Sequence, residues 1–404
     1  MTRALIIGAG ITGPVTAMAL QKAGIDATVY EAYDRTADGV GAYLNVAVNG
    51  LAALQVLDID PSSLGGFDTP HLELCDAKGK PLARLPIGRA TEDGLVSQTI
   101  MRSDLYVGLR DEATRRGIDI QWGKRLAKAT TRADGTVVAE FTDGTIAEGD
   151  LLIGADGLNS PTRALINEDC PAPRYTGLLN TGGYAHGIDV DGEQGVFRMV
   201  FGKRAFFAYV KRGPGEVWWF ANVPKAEQAT DAELAELAPR WREELNRLFA
   251  DDDIPALDII AHTEDIAPPW NTCDMPKVPT WHRGSIILIG DAAHAISPTS
   301  GQGASLAIED GIVLAKCLRD TPSVPAAFAA FEQARRTRVE KLIAQAKRTS
   351  DHKIPNAFSR LIRDKIIMPL VAKAANRATK DWVHDYRLDW DSPVTGHVTN
   401  QAAA

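Results

Sequence analysis

The chain has 404 residues, 45% of them hydrophobic and 24% charged, with a formal net charge of −8. This is the composition of a globular enzyme long enough for more than one domain, and the acidic balance argues against a general affinity for nucleic acid or anionic membranes. Four scattered cysteines without CxxC spacing and eight histidines without an HExxH cluster offer no metal site, and no run reaches the roughly 20 apolar residues of a membrane span.

Met1 to Arg3 lead straight into an apolar run, which leaves no room for a signal peptide and predicts a cytoplasmic protein. Ala4 to Ile7 has strand length. Gly8, Gly10 and Gly13 follow at dinucleotide-binding spacing, and an apolar stretch from Val15 to Ala23 is long enough for a helix. In that pattern Gly8 permits the tight turn, Gly10 lets the backbone approach a pyrophosphate, and Gly13 allows close packing of helix on strand. Ile11 and Thr12 sit at the helix N-terminus, where free N–H groups and the dipole favour phosphate. Pro14 falls in the first turn, where its missing N–H costs little. The next strand, Ala27 to Tyr30, ends at Glu31, whose carboxylate can accept both hydroxyl hydrogens of an adenosine ribose. These residues do not choose between NAD and FAD.

Leu72–Asp76 and Pro81–Leu85, joined by Lys78-Gly79-Lys80, read as a hairpin. Asp150 to Gly154 reads as another buried strand, ending at the Ala155-Asp156-Gly157 turn. Ser160 before Pro161 then marks a helix start, an N-cap with proline at the first helical position. From about Tyr175 to Ala267 the pattern becomes short strands broken by Gly, Asp and Pro, notably Gly195–Phe201, Ala205–Lys211 and Glu216–Val223. That is antiparallel sheet chemistry, and Asp231–Phe249 reads as an amphipathic helix at its edge. Strand alternation sends Phe207 and Tyr209 to one face and Phe206 to the other. Ser285 to Gly290 is a third buried strand, followed by Asp291 and by the segment Pro298-Thr-Ser-Gly301-Gln302-Gly303-Ala304, which opens a helix. The chain after Phe328 reads as helical, interrupted at Ile366–Pro369 and frayed after about Ser392.

The three glycine-rich turns, taken together and in this order, resemble the single-component (class A) FAD-dependent monooxygenases with the p-hydroxybenzoate/salicylate hydroxylase-like fold. The likeness covers essentially the whole chain. It implies an α/β fold: a Rossmann-type FAD-binding domain built from 1–70, 100–172 and 281–350, an inserted antiparallel β-sheet substrate domain from 71–99 and 173–280, and a C-terminal helical segment over 351–404. It also implies that Asp291 bonds the ribityl chain and that the backbone from Pro298 through Gly301, Gln302, Gly303 and Ala304 faces the pyrimidine end of the flavin. Asp156, Gly157 and Arg163 match the family's middle motif, near both FAD and the docking route of a nicotinamide. Arg102, followed by Leu105, matches an arginine that leans on the flavin. Ser305 stands where relatives often carry Asn, which leaves that role to backbone donors.

By the same resemblance, NAD(P)H docks transiently, since only one GxGxxG occurs. O2 then forms a flavin C4a-hydroperoxide that hydroxylates or epoxidises an apolar aromatic or polycyclic small molecule, in a monomer or homodimer. The chemistry sits on the flavin and calls for no catalytic side chain. His294 reads as a residue tying its loop down. Residues 40–50 are expected to pass beside the flavin ring, with the aromatic sheet as the opposite wall. Tyr184, His186, Phe207, Tyr209, Trp219 and Pro298 are the candidate substrate-pocket residues. A flavin-dependent reductase of the same fold and a non-catalytic flavin-binding protein are the alternatives.

Overall fold

The computed structural model describes residues 2–34, 42–350 and 381–394, except the side chains of residues 299 and 347–350. Val40, Gly41 and the Ile366–Pro369 interruption therefore lie outside the described residues.

A six-stranded sheet organises the first half of the architecture. Its spatial order is His282–Arg283, Ile286–Leu288, Leu151–Gly154, Arg3–Ile7, Asp26–Tyr30, Asp119–Gln121. All neighbours are parallel except the first pair. Ala4, Leu5, Ile6, Leu151, Leu152, Ile153, Ile287 and Leu288 are fully buried, as expected of parallel strands covered on both faces. The helices Thr12–Lys22 and Gly303–Asp320 pack together beside this sheet. The three sequence-distant strands Arg3–Ile7, Leu151–Gly154 and Ile286–Leu288 are adjacent and co-directional, so the turns that follow them open at one edge.

A seven-stranded sheet forms the second half, in the order Trp270–Asp274, Arg174–His186, Glu216–Pro224, Phe206–Gly213, Val196–Phe201, His71–Cys75, Pro81–Pro86. The predicted hairpin joins it through a parallel pairing of His71–Cys75 with Val196–Phe201, the one exception to its antiparallel pattern. A small sheet of Tyr43–Val46, Gln98–Met101 and Phe67–Asp68 lies between the two large ones in sequence and carries Tyr43 toward the aromatic sheet. A further three-stranded meander, Leu126–Thr131, Val137–Phe141 and Ile146–Gly149, had no counterpart among the expected elements.

Two expectations are corrected. The amphipathic stretch is two helices, Asp231–Leu237 and Trp241–Phe249, split by a 3₁₀ turn at Ala238–Arg240. Pro239 explains the break, because it offers no N–H to the helical ladder. The C-terminal residues 381–394 are turns and irregular chain, not helix. They are strapped onto the helix Val324–Ser350 by Arg338, which donates to the carbonyls of Trp382 and Val383 at 2.8 Å each. Among the described residues, no helix is long and apolar enough to cross a membrane.

Candidate active site

The three glycine turns meet physically. The amide of Ala155 donates to the carbonyl of Ile7 at 2.8 Å, and Ile289 donates to Gly154 at 3.0 Å. Gly290 has φ +57°, and a Cβ there would lie 2.6 Å from the Thr12 hydroxyl; a Cβ on Gly13 would lie 1.9 Å from the Gly8 carbonyl. Both positions require glycine, because neither contact leaves room for a side chain. At Gly10 a Cβ would meet nothing within 4 Å. The first turn is thus packed tight behind and open in front, at the carboxyl ends of the strands, where open α/β sheets bind ligands.

Glu31 sits against this turn, accepting from the Ala9 amide at 2.7 Å and from the Tyr33 amide at 3.1 Å. Asp156 accepts from the Thr162 amide and hydroxyl with one carboxylate oxygen, at 2.9 and 2.6 Å. Its other oxygen is buried without a partner. Burial pushes the Asp156 carboxyl up, against the hydrogen bonds from Ser160 and Thr162. Ser160 caps its helix as expected, accepting from the Arg163 amide at 2.9 Å. Arg163 is buried, and its guanidinium donates to the carbonyls of Leu158 and Ala292 at 2.5 and 3.0 Å. It braces the middle turn, in which Gly157 takes the left-handed conformation, against the third one.

Asp291 is open to the cleft, yet enough protein surrounds it that desolvation pushes its carboxyl up, with His294 and Arg102 pulling the other way. Arg102 bonds the Tyr106 hydroxyl at 2.6 Å, and its amide donates to Ala42 at 3.1 Å. Pro298 opens a 3₁₀ turn, Gly301 takes the left-handed conformation, buried Gln302 precedes the helix, and Gly303 and Ala304 form its first turn. These groups fit FAD: an uncovered Gly10 backbone for the pyrophosphate, carboxylates at Glu31, Asp156 and Asp291 for hydroxyls, and a helix N-terminus for the electron-rich end of the ring.

The aromatic sheet has two dissimilar faces. Phe197, Val210 and Trp218 form a cluster with Tyr43, Phe67, Met101, Tyr184 and Phe220 on the face that packs against the small three-stranded sheet. Tyr184 belongs to this face, 5.1 Å from Trp218 edge-on. Phe207, Tyr209 and Trp219 do not, which corrects their assignment to the pocket wall. They pack in a separate core against the helices Trp241–Phe249 and Ala256–Ala261. Phe207 stacks on Trp219 at 5.2 Å and meets Phe249 edge-on, and Trp219 donates to the Thr263 hydroxyl at 2.9 Å. Both faces carry aromatics at alternate positions, so alternation separates them without saying which one the helices cover. His186 is exposed at the far end of its strand, paired in register with Glu216.

A buried polar network beneath the third turn escaped the sequence reading. His294 bonds Asp310 at 2.6 Å, and Asp310 also accepts from the Gly290 amide at 2.9 Å. Fully buried Arg335 reaches both Asp310 and Glu309 at 2.7 Å. Burial opposes the charge on Asp310, but His294 and Arg335 outweigh it and hold the carboxyl at about 2. Ser305, the departure from the family pattern, accepts from the Ala47 amide at 3.1 Å and fills the space a side chain at Gly50 would need. The signal for the network was the Glu309-Asp310 pair set in an apolar stretch of its helix, where burial of both carboxylates calls for a cation.

Residues 90–346 match the family model described as FAD binding domain. The FAD-dependent urate hydroxylase of Klebsiella pneumoniae is 32% identical over 360 residues, covering 86% of this chain and 90% of that protein. The Aurachin C monooxygenase/isomerase of Stigmatella aurantiaca is 29% identical over 384 residues, covering 93% of this chain and 96% of that one. Among solved structures, Klebsiella pneumoniae HpxO complexed with FAD and uric acid superposes with a TM-score of 0.79 at 28% identity, covering 93% of this chain and 96% of that one. With its three turns meeting at one edge of the parallel sheet and its sequence matched along most of its length, the chain belongs to the class A FAD-dependent, aromatic hydroxylase-like monooxygenases.

Proposed function

We propose that this chain uses NAD(P)H and O2 to hydroxylate a flat aromatic small molecule held between the glycine turns and the Tyr184 face of the aromatic sheet. FAD, when bound, supplies hydride acceptance and oxygen activation, and the protein supplies orientation and a dry cavity. Two electrons from NAD(P)H reduce O2, one oxygen atom enters the ring and the other leaves as water. The observation that supports this reading best is the convergence of the Gly8–Gly13, Asp156 and Asp291 turns at the carboxyl ends of three adjacent parallel strands, with Gly10 uncovered in the first of them.

In this reading Gly8 to Gly13 and Glu31 hold the adenosine and pyrophosphate, Asp156 and Asp291 accept from hydroxyls of the cofactor, and the Pro298–Ala304 segment lies at the flavin ring. Arg163 and Gly13 act behind them by holding the turns in place. The segments 1–70, 100–172 and 281–350 form the cofactor half, with 71–99 and 173–280 forming the substrate half. The test is to load the purified protein with FAD and screen aromatic compounds for stimulated NAD(P)H oxidation, using labelled O2. A product carrying one labelled oxygen is expected. Stimulated oxidation that yields only hydrogen peroxide with every compound would overturn the proposal.

A further inference from the structure

We infer that Tyr43 is the substrate-orienting residue, and that the ring it orients is uncharged and carries one hydrogen-bonding oxygen. This rests on the hydroxylase reading above and names the substrate class of that site. The Tyr43 hydroxyl is buried and has no hydrogen-bond partner. Its ring lies among four others: Trp218 at 5.4 Å, Phe197 at 6.0 Å, Phe220 at 6.2 Å and Tyr184 at 6.4 Å. A buried polar atom without a partner is costly and rare in folded proteins. Here it belongs to a residue that pairs with Met101, next to Arg102, whose charge reaches Asp291. The unmet hydroxyl therefore stands on the route from the cofactor turns to the aromatic wall.

The surroundings select the partner. Burial, reinforced by Tyr184, pushes the Tyr43 phenol well above its ordinary range, so it stays neutral and can donate. The described charged groups that reach the cluster are each already engaged or negative. Arg212 lies 5.3 Å from the Trp218 ring centre but is paired with Glu216 at 3.1 Å. Arg102 bonds the Tyr106 hydroxyl, and its charge acts on Asp291. Asp104 adds negative charge beside Tyr184. A carboxylate substrate would lose its hydration and meet a carboxylate. A neutral hydroxy- or oxo-arene would stack on the rings and satisfy Tyr43.

The experiment titrates the FAD-loaded enzyme and its Tyr43→Phe variant with naphthol, naphthalene and hydroxynaphthoate, following perturbation of the flavin absorption band. Melting of both proteins is measured without ligand. The wild type should bind naphthol more tightly than either other probe. Tyr43→Phe should weaken naphthol about tenfold, the worth of one hydrogen bond, leave naphthalene and FAD content unchanged, and melt no lower than the wild type. Unchanged naphthol binding in the variant would overturn the role of Tyr43, as would a lower melting temperature, which would reveal a protein partner for the hydroxyl. Hydroxynaphthoate binding as tightly as naphthol, or no response to naphthol in the wild type, would overturn the substrate class. None of these outcomes touches the hydroxylase reading, which is decided separately by labelled oxygen in a product.

Discussion

Asn49 and Glu309, 260 positions apart, share a 2.6 Å hydrogen bond in the buried interior. The same Asn49 amide donates to Gln302 at 3.1 Å, so one side chain ties the helix Val48–Gln55 to both the start and the second turn of Gly303–Asp320. Glu309 completes its shell with Arg335 and Arg338. The segment that would meet the flavin ring is therefore held from behind by charge, not only by packing.

Replacing Arg335 with Met should destabilise the fold by about 3–5 kcal/mol, because Glu309 and Asp310 would be left buried with their main counter-charge gone. Denaturant unfolding of the FAD-free protein checks this. A loss below about 1 kcal/mol would mean that Arg338 and His294 compensate alone.

Acid should act on the same network. The Asp310 carboxyl is held at about 2 in the folded protein against an ordinary 3.8. A depressed carboxylate stabilises the fold above its unfolded pKa, and that stability is lost as pH falls through the folded value. The contribution should therefore disappear between pH 3.8 and about 2. Asp310→Asn should flatten the stability profile in that window, measured by unfolding at stepped pH. An unaltered slope would remove Asp310 from the account.

Gly10→Val and Glu31→Ala should each yield protein with little bound flavin, since one side chain enters the open front of the turn and the other removes the ribose acceptor. Flavin absorbance per protein, with circular dichroism to confirm folding, is the measurement. Full FAD content in both variants would show that the N-terminal turn does not hold the cofactor.

Trp219→Ala and Phe207→Ala should cost about 3–5 kcal/mol each, as buried aromatic truncations do, while the surviving protein keeps its substrate preference. Trp218→Ala and Phe220→Ala should instead change which aromatics stimulate NAD(P)H oxidation, at unchanged FAD content. If the two pairs behave alike in both assays, the division between the faces has no functional meaning.

Gly50→Ala should be destabilising by about 1–3 kcal/mol, as overpacking is, because the new methyl would fall 2.7 Å from the Ser305 Cα. Thermal melting of the variant beside Gly24→Ala, which meets no neighbour but has φ +76°, separates crowding from backbone strain. No loss at Gly50→Ala would show that Ser305 gives way to the new methyl and that crowding does not fix glycine there.

Local pattern alone determined the strand–turn–helix units of this protein. The runs Ala4–Ile7, Leu151–Ile153 and Ile286–Leu288 are apolar throughout and end in turns that need glycine, so their form follows from sterics and burial within a few residues. Ser160 before Pro161 marks a helix start for the same local reason, and the Pro239 break was there to be read as well. Tertiary structure alone decided what those units face. Phe207 and Trp218 are aromatic, buried and on neighbouring strands, and only the docking of Trp241–Phe249 on one side puts the first in the helix-covered core and the second in the cluster around Tyr43. Asn49, Ser305, Glu309 and Arg335 are unremarkable in isolation and acquire partners across gaps of tens to hundreds of residues. Turn and strand preferences act over neighbouring residues, whereas the cost of a buried charge or an unmet hydroxyl is set by whatever the fold brings alongside.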